Sequence, residues 1–262
     1  MDSVVLKAIV LGLIQGLTEF LPVSSTAHLI LVPWFFGWGG VVNSLIFDVA
    51  LHAGTLGALI LCFYRDWIDM IMRDRRLLYL IIFASFPAGI AGILFSGLIE
   101  HTLRSPLVIA FSLVTVGIVM LIAERYSKAV KGLQEGGITL RDSLIIGVAQ
   151  AVALIPGVSR SGITITAGLF RDLTRISAAR FSFLLSTPVI LGATVLEGRK
   201  LMKTPSLLNL DIFVTGFVSA FVSGLVAIIF LLRFLNRHPL NLFVYYRFAL
   251  AMVILIALRF TV

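Results

Sequence analysis

In the stretch QGLTEFLPVSSTAHL, Gln15 and Glu19 stand four residues apart, which puts an amide and a carboxylate on one face of a helix. Pro22 breaks the run, and Ser24, Ser25, Thr26 and His28 follow it. A hydroxyl with a histidine three residues beyond it suits nucleophilic attack or water activation, with His28 as general acid or base beside Ser25. The plainer alternative is a helix cap, because serine and threonine satisfy free backbone N–H groups. One hydroxyl is expected to cap, yet this many polar groups in so short a run exceed what a cap requires. Glu19 has two readings as well. It is either a protonated side chain bonded to Gln15 or Thr18 as structural glue, or a functional carboxylate. An ionised acid inside a bilayer costs about 3 kcal/mol or more, which marks it as functional by default.

A second polar break, PGVSRSGIT, supplies a cation: Arg160 lies between Ser159 and Ser161, with Thr164 one helical turn on. Gly157 and Gly162 allow close backbone approach. If a half-helix opens at Arg160, its positive dipole end, its free N–H donors and the guanidinium converge. Such a group suits a phosphate, which arginine binds through paired, charge-assisted contacts. The alternatives are an arginine that snorkels to the interface, or one paired with Glu19 or Asp48. Its position deep in an apolar region favours anion binding.

Asp48 and His52, four apart in FDVALHAG, would help hold a metal or orient His28, or else hydrogen-bond to each other. The chain has no HExxH, no Walker loop and a single cysteine, Cys62. A divalent cation would therefore use oxygens from Glu19, Gln15, Asp48 and a phosphate, ligands that Mg²⁺ and Ca²⁺ accept.

The elements that must position these groups follow from composition. Of 262 residues, 59% are hydrophobic and only 13% charged, whereas about a quarter are charged in soluble domains. This predicts an all-α integral membrane protein with a single membrane domain. The net charge of +8 is assigned to loops facing the cytoplasm and anionic lipid rather than to nucleic acid. The N-terminus lacks a basic leader and cleavage site and is read as mature protein.

Six segments are long enough to cross: 43–64, 77–99, 105–123, 178–196, 212–232 and 240–258. Two pairs, 3–20 with 24–40 and 141–155 with 159–171, are split by proline and small polar residues and predict re-entrant helix pairs. Alternating the six spans collects thirteen basic residues on one face, from Arg65 through Lys128, Lys131 and Arg141 to Arg237. Only Lys7, Arg104, Arg199, Lys200, Lys203 and Arg259 fall on the other. The positive-inside rule then places both termini outside the cytoplasm. QGLTEFLPVSS from Gln15 echoes QAVALIPGVSRS from Gln150, about 135 residues later. With that topology, approximately 1–124 and 139–262 read as inverted repeats, an architecture that builds a site where broken helices meet near the midplane.

These motifs resemble those of the undecaprenyl-diphosphatase family, also called bacitracin resistance proteins. QGLTEFLPVSSTAHL is similar to the acidic motif [E/Q]-x-x-x-E followed by Pro-Val-Ser-Ser-Thr-x-His, and PGVSRSGIT to Pro-Gly-x-Ser-Arg-Ser-Gly. The likeness extends through FDVALHAGTLGA and ARFSFLLSTPVILGAT, so it covers essentially the whole chain. It implies removal of one phosphate from undecaprenyl diphosphate, returning the carrier lipid of cell-wall synthesis. By motif position it puts Glu19 and Gln15 in the acidic places, Gln15 standing where many members carry glutamate. It puts Ser25 at the nucleophile or phosphate-contacting place with Thr26 and His28 beside it, and Arg160 at the phosphate clamp with Ser159, Ser161 and Thr164 around it. It further implies a divalent cation, Mg²⁺ or Ca²⁺, and a site facing the periplasm from the bacterial inner membrane. Its partners would be the polyprenyl diphosphate and membrane lipids, with bacitracin competing for that substrate rather than binding the protein. A homodimer is left open.

The chemistry divides into attack by Ser25 and attack by activated water. A different function class also competes, because inverted repeats with broken helices are transporter architecture and could carry polyprenyl phosphate across. The acid-phosphatase-like lipid phosphatases are set aside, since SRSGITITAG has no histidine at the required place after arginine.

Overall fold

The computed structural model describes residues 2–127, 132–203 and 209–261, and every regular element in them is helical. In chain order the α-helices are α1 (Asp2–Phe20), α2 (Ser25–Phe36), α3 (Leu45–Cys62), α4 (Tyr64–Met72), α5 (Arg75–His101), α6 (Pro106–Ser127), α7 (Leu140–Val152), α8 (Arg160–Phe170), α9 (Arg175–Lys203), α10 (Leu210–Leu235) and α11 (Asn241–Thr261). Seven of the described helices are long and apolar enough to cross a membrane, so the chain is a multi-pass membrane protein. The six expected spans are all among them, and the seventh is α1, expected as a half-span and in fact 19 residues long.

Local chemistry sets the boundaries. Gly37 ends α2 in the left-handed conformation (φ 61°), where a side chain would be strained, so the helix stops short of the expected residue 40. Ser44 caps α3, accepting from Phe47 N–H at 3.2 Å. Thr139 and Asp142 form a reciprocal capping box at the start of α7. The chain breaks again at Phe63, after which α4 carries Arg65, Asp66 and Asp69 beside exposed Ile68, Ile71 and Met72.

Helix contacts depend on small residues. A Cβ on Gly12 would lie 2.6 Å from the Gly216 carbonyl, so α1 and α10 touch backbone to backbone. Gly147, 135 positions after Gly12, brings α7 against α5 in the same manner, and a Cβ there would overlap the Ala84 carbonyl.

The chain turns back after α1. Lys7 Nζ sits 5.5 Å from the Trp38 ring centre, so α1 and α2 form a hairpin whose open ends lie together. Ala8, Val42 and Phe47 share one core cluster, which places that end beside Asp48 and its partner Arg104 (3.7 Å). Helices α7 and α8 form a second hairpin, closed at its base by Arg171 Nε on Asp142 Oδ1 (2.7 Å). At that base Glu124 receives two guanidinium nitrogens of Arg175 (2.7–3.0 Å) and the Leu240 N–H, and Arg180 pairs with Asp66. Arg104 lies just before α6 and Glu124 near its far end, so the open ends of the two hairpins lie at opposite ends of the bundle. The tips meet: Ser161 Oγ donates to the Leu21 carbonyl at 3.1 Å.

Arg76, Arg171, Arg175 and Arg180 thus gather at one end. Lys128 and Lys131 lie outside the described residues, as do the side chains of Lys200 and Lys203.

Candidate active site where the two hairpins meet

Each tip has its serine in a backbone conformation that L-residues rarely adopt: Ser24 at φ 78° and Ser159 at φ 71°, again 135 positions apart. Strain of this kind costs about 1–3 kcal/mol per residue and gathers where function demands it. Its effect is to turn each chain sharply, so that Ser25 opens α2 and Arg160 opens α8 toward one another. Ser159 Oγ caps α8 by accepting from Gly162 N–H at 3.2 Å, whereas the Ser24 side chain makes no cap bond.

Glu19 is the hub. Its Oε2 accepts from Ser25 Oγ at 2.6 Å and from Gln15 Nε2 at 3.0 Å, and its Oε1 lies 2.5 Å from Arg160 Nη2. His52 Nε2 stands 3.8 Å from Oε2. Gln15, Glu19 and Ser25 are buried, Glu19 being 7% and Ser25 8% exposed, while Arg160 and His52 are half-buried. Arg160 is therefore an ion-pair partner of Glu19, the alternative weighed against anion binding. The pair does not exhaust it, because buried Nη1 has no hydrogen-bond partner.

A cavity of about 180 Å³ opens on this group. Thr18, Glu19, Ser24, Ser25, Thr26, His52, Gln150, Ser159 and Arg160 give it a polar lining, and Ala88, Ala153, Leu154, Val189, Ile190 and Ala193 an apolar one. It has room for about six waters, the size of a polar headgroup. The apolar residues belong to α5, α9 and the segment just after α7.

Not every expected residue reaches this cavity. The His28 ring is elsewhere: Nδ1 is 2.7 Å from the Ser24 carbonyl and Nε2 is 2.7 Å from the Tyr246 hydroxyl. A carbonyl only accepts, so Nδ1 carries the proton, and Ser25 has Glu19 as its neighbour in place of His28. Ser161 and Thr164 are buried in the tips; Thr164 Oγ1 bonds the Arg160 carbonyl (2.7 Å) and Ser182 (2.6 Å). Asp48 faces Arg104, and the expected Asp48–His52 side-chain bond is replaced by His52 Nδ1 on the Asp48 backbone carbonyl at 2.7 Å. Neither contacts the His28 ring nitrogens, whose partners are given above. Of the two, only His52 lines the cavity.

Comparison with known proteins matches this arrangement to one family. Residues 8–253 match the family described as bacitracin resistance protein BacA. A protein of Thermodesulfovibrio yellowstonii named undecaprenyl-diphosphatase is 56% identical over 248 residues, covering 95% of each chain. Proteins of the same name from Desulforudis audaxviator and Pelotomaculum thermopropionicum are 46% and 44% identical, covering 95% and 97% of this chain and 96% and 98% of theirs. The chain belongs to the BacA family.

The residue that locks the tips together is Arg247 of α11, which is not among the candidate residues of the sequence analysis. It is fully buried, no carboxylate among the described residues pairs with it, and it donates to five backbone carbonyls. These are Pro22 (3.3 Å) in the first tip, Gly157 (2.9 Å) and Val158 (3.1 Å) in the second, and Ser112 and Leu113 (3.2 Å each) in α6. Its signal in the sequence is that, apart from Arg160, every other basic residue falls in a loop or near a helix end, leaving Arg247 alone within an apolar span. Tyr246 beside it holds His28, so α11 fixes the first tip through two neighbouring side chains.

The BacA donor set suits a hard cation only in part. Among the described residues no three His, Cys, Asp or Glu side chains cluster. Yet Gln15 Oε1 is buried without a partner next to the Glu19 carboxylate. Two such oxygens fit a cation that takes its remaining ligands from phosphate and water, the manner of Mg²⁺.

Proposed function

We propose that the chain hydrolyses undecaprenyl diphosphate to undecaprenyl phosphate and inorganic phosphate in this cavity, recycling the carrier lipid of cell-wall synthesis. One observation carries the reading. A buried serine hydroxyl donates to a carboxylate at 2.6 Å beside a guanidinium, in a cavity lined by both polar and apolar side chains. Family membership and the shared name of the relatives support the substrate.

Ser25 Oγ attacks the terminal phosphorus while Glu19 takes its proton, and the bond to the bridging oxygen breaks to release undecaprenyl phosphate. Glu19 passes that proton to the departing lipid phosphate, takes another from the water that cleaves the phosphoserine to free phosphate, and returns it to Ser25 Oγ. Arg160 and the N–H groups that open α8 stabilise charge on the equatorial oxygens, which is most of what phosphoryl transfer needs. Thr26 and Ser159 line the cavity as further hydroxyl contacts. Gln15 Oε1 and Glu19 would hold a divalent cation, Mg²⁺ or Ca²⁺. When bound, the cation supplies neutralisation of the diphosphate charge.

The test uses purified protein in detergent micelles. Substrate labelled in the terminal phosphate should leave label on Ser25 after acid quench and show a burst of lipid phosphate. Turnover with neither burst nor trapped label would assign attack to water, with Ser25 only binding phosphate. Chelator should suppress turnover and Mg²⁺ or Ca²⁺ restore it. Transport, the competing reading, predicts no phosphate release where there is no bilayer to cross.

We further read residues 1–124 and 139–262 as inverted repeats of one membrane domain, supported by the paired Ser24 and Ser159 tips and the paired Gly12 and Gly147 contacts. The protein lies in the bacterial inner membrane with both termini and the cavity mouth toward the periplasm. The collection of arginines at the opposite end supports the termini, and the family resemblance implies the mouth. A cysteine added before residue 2, in a chain with Cys62 replaced, should react with an impermeant maleimide on intact spheroplasts. Labelling only after permeabilisation reverses the orientation. The partners are the polyprenyl diphosphate and the lipids against the exposed apolar faces, with no nucleic acid. Bacitracin acts by competing for the substrate. A homodimer is compatible with this site but not needed by it, because one chain provides every residue named.

A further inference from the structure

Gln150 of α7 lines the cavity, is 2% exposed, and has no hydrogen-bond partner for either Nε2 or Oε1. A buried amide rarely goes unsatisfied in a folded protein, and one facing a cavity is met by whatever fills that cavity. Its counterpart in the first hairpin explains the vacancy of bonds. Gln15 gives its Nε2 to Glu19 four residues on, whereas the residue four after Gln150 is Leu154, an apolar wall of the same cavity. The second hairpin thus keeps the amide and lacks the carboxylate.

A second buried donor stands without a partner on the same lining, Arg160 Nη1. Two N–H donors, one cationic and one neutral, select a ligand rich in acceptor oxygens. We propose that Gln150 is a substrate-contacting residue, its Nε2 donating to a phosphate oxygen of the lipid diphosphate next to Arg160 Nη1. Its Oε1 accepts from water or from a protonated phosphate oxygen. The naming of the diphosphate rests on the hydrolysis reading above. Because the amide adds no charge, its contribution is orientation: it holds the headgroup from α7, beside Arg160, so that the terminal phosphorus faces the serine. Glu19, Arg160 and His52 are the charged or titratable side chains sharing that cavity with it.

The experiment compares full-length wild type, Gln150→Met and Gln150→Glu in detergent micelles. Methionine keeps the volume and removes both hydrogen bonds; glutamate keeps the shape and sets a carboxylate against phosphate. Two quantities are read: affinity for a methylene-bridged diphosphonate analogue of a prenyl diphosphate, and phosphate release. The Met variant should bind the analogue about 10-fold more weakly and raise KM to match, about 1.4 kcal/mol at one decade. The Glu variant should lose about 100-fold, about 2.7 kcal/mol, and kcat should change less than KM in both. Wild-type affinity in either folded variant overturns the contact, as does a loss confined to thermal stability with KM unchanged. Should the Met variant fail to fold, the Glu variant decides alone. Wild type that binds the analogue yet releases no phosphate would sink the hydrolysis reading and leave the Gln150 contact standing. Phosphate release unchanged by both variants would do the reverse.

Discussion

Arg160→Ala should lower phosphate release by about a thousandfold or more, the scale on which an arginine facing a transferring phosphoryl group acts. That is about 4 kcal/mol of lost transition-state stabilisation. The geometry adds a second consequence. With Arg160 gone, Glu19 remains 7% exposed without its 2.5 Å partner, and breaking a buried pair from one side costs about 3–5 kcal/mol of stability. The single variant should therefore be both inactive and less stable. Adding Glu19→Gln removes the orphaned charge, so the double variant should regain thermal stability and stay inactive. Arg160→Lys should recover little activity, because a point charge cannot serve Glu19 and a phosphate at once as a planar fork does. Wild-type-like turnover by purified Arg160→Ala would end the clamp role. A double variant no more stable than the single one would mean that the pair adds nothing to the fold.

Arg247→Met should act at a distance from the phosphate. It leaves carbonyls of Pro22, Ser112, Leu113, Gly157 and Val158 buried without their donor, at about 1–3 kcal/mol for each group that relaxation fails to satisfy. A net loss of about 3 kcal/mol lowers the unfolding temperature by about 6–12 °C in a chain of this size. The functional effect should be larger than stability alone predicts. Ser25 and Arg160 follow directly on the clamped tips, and misplacement by about 1 Å is enough to cost a hundredfold. Phosphate release below a hundredth of wild type, measured well under the variant's unfolding temperature, is the expected result. Arg247→Lys should restore part of the stability with less of the activity, having three donors on a flexible stem. Normal turnover at an unchanged unfolding temperature would show that the tips hold themselves.

Much of the architecture was legible in the sequence because hydropathy acts locally. A run of apolar residues must be helical to satisfy its backbone in lipid, so the six spans and the two breaks at Pro22 and Pro156 could be placed from the chain alone. Residue chemistry likewise singled out Glu19, Ser25 and Arg160, since an acid, a cation or a dense set of hydroxyls is expensive inside a bilayer without a task. What no local rule could settle was how each helix is rotated about its axis and which distant residue it meets. Glu19 and Arg160 are 141 positions apart, and their pairing depends on tips that α11 holds together. Rotation of α2 sends His28 to Tyr246 and leaves Ser25 to Glu19. Burial in the tips spends Ser161 and Thr164 on structure, and α3 brings His52 to the cavity while Asp48 turns to Arg104. Gln150 and Arg247 look in sequence like an unremarkable amide and a stray cation. Only their three-dimensional surroundings, one side chain with no partner and the other with five, give them meaning.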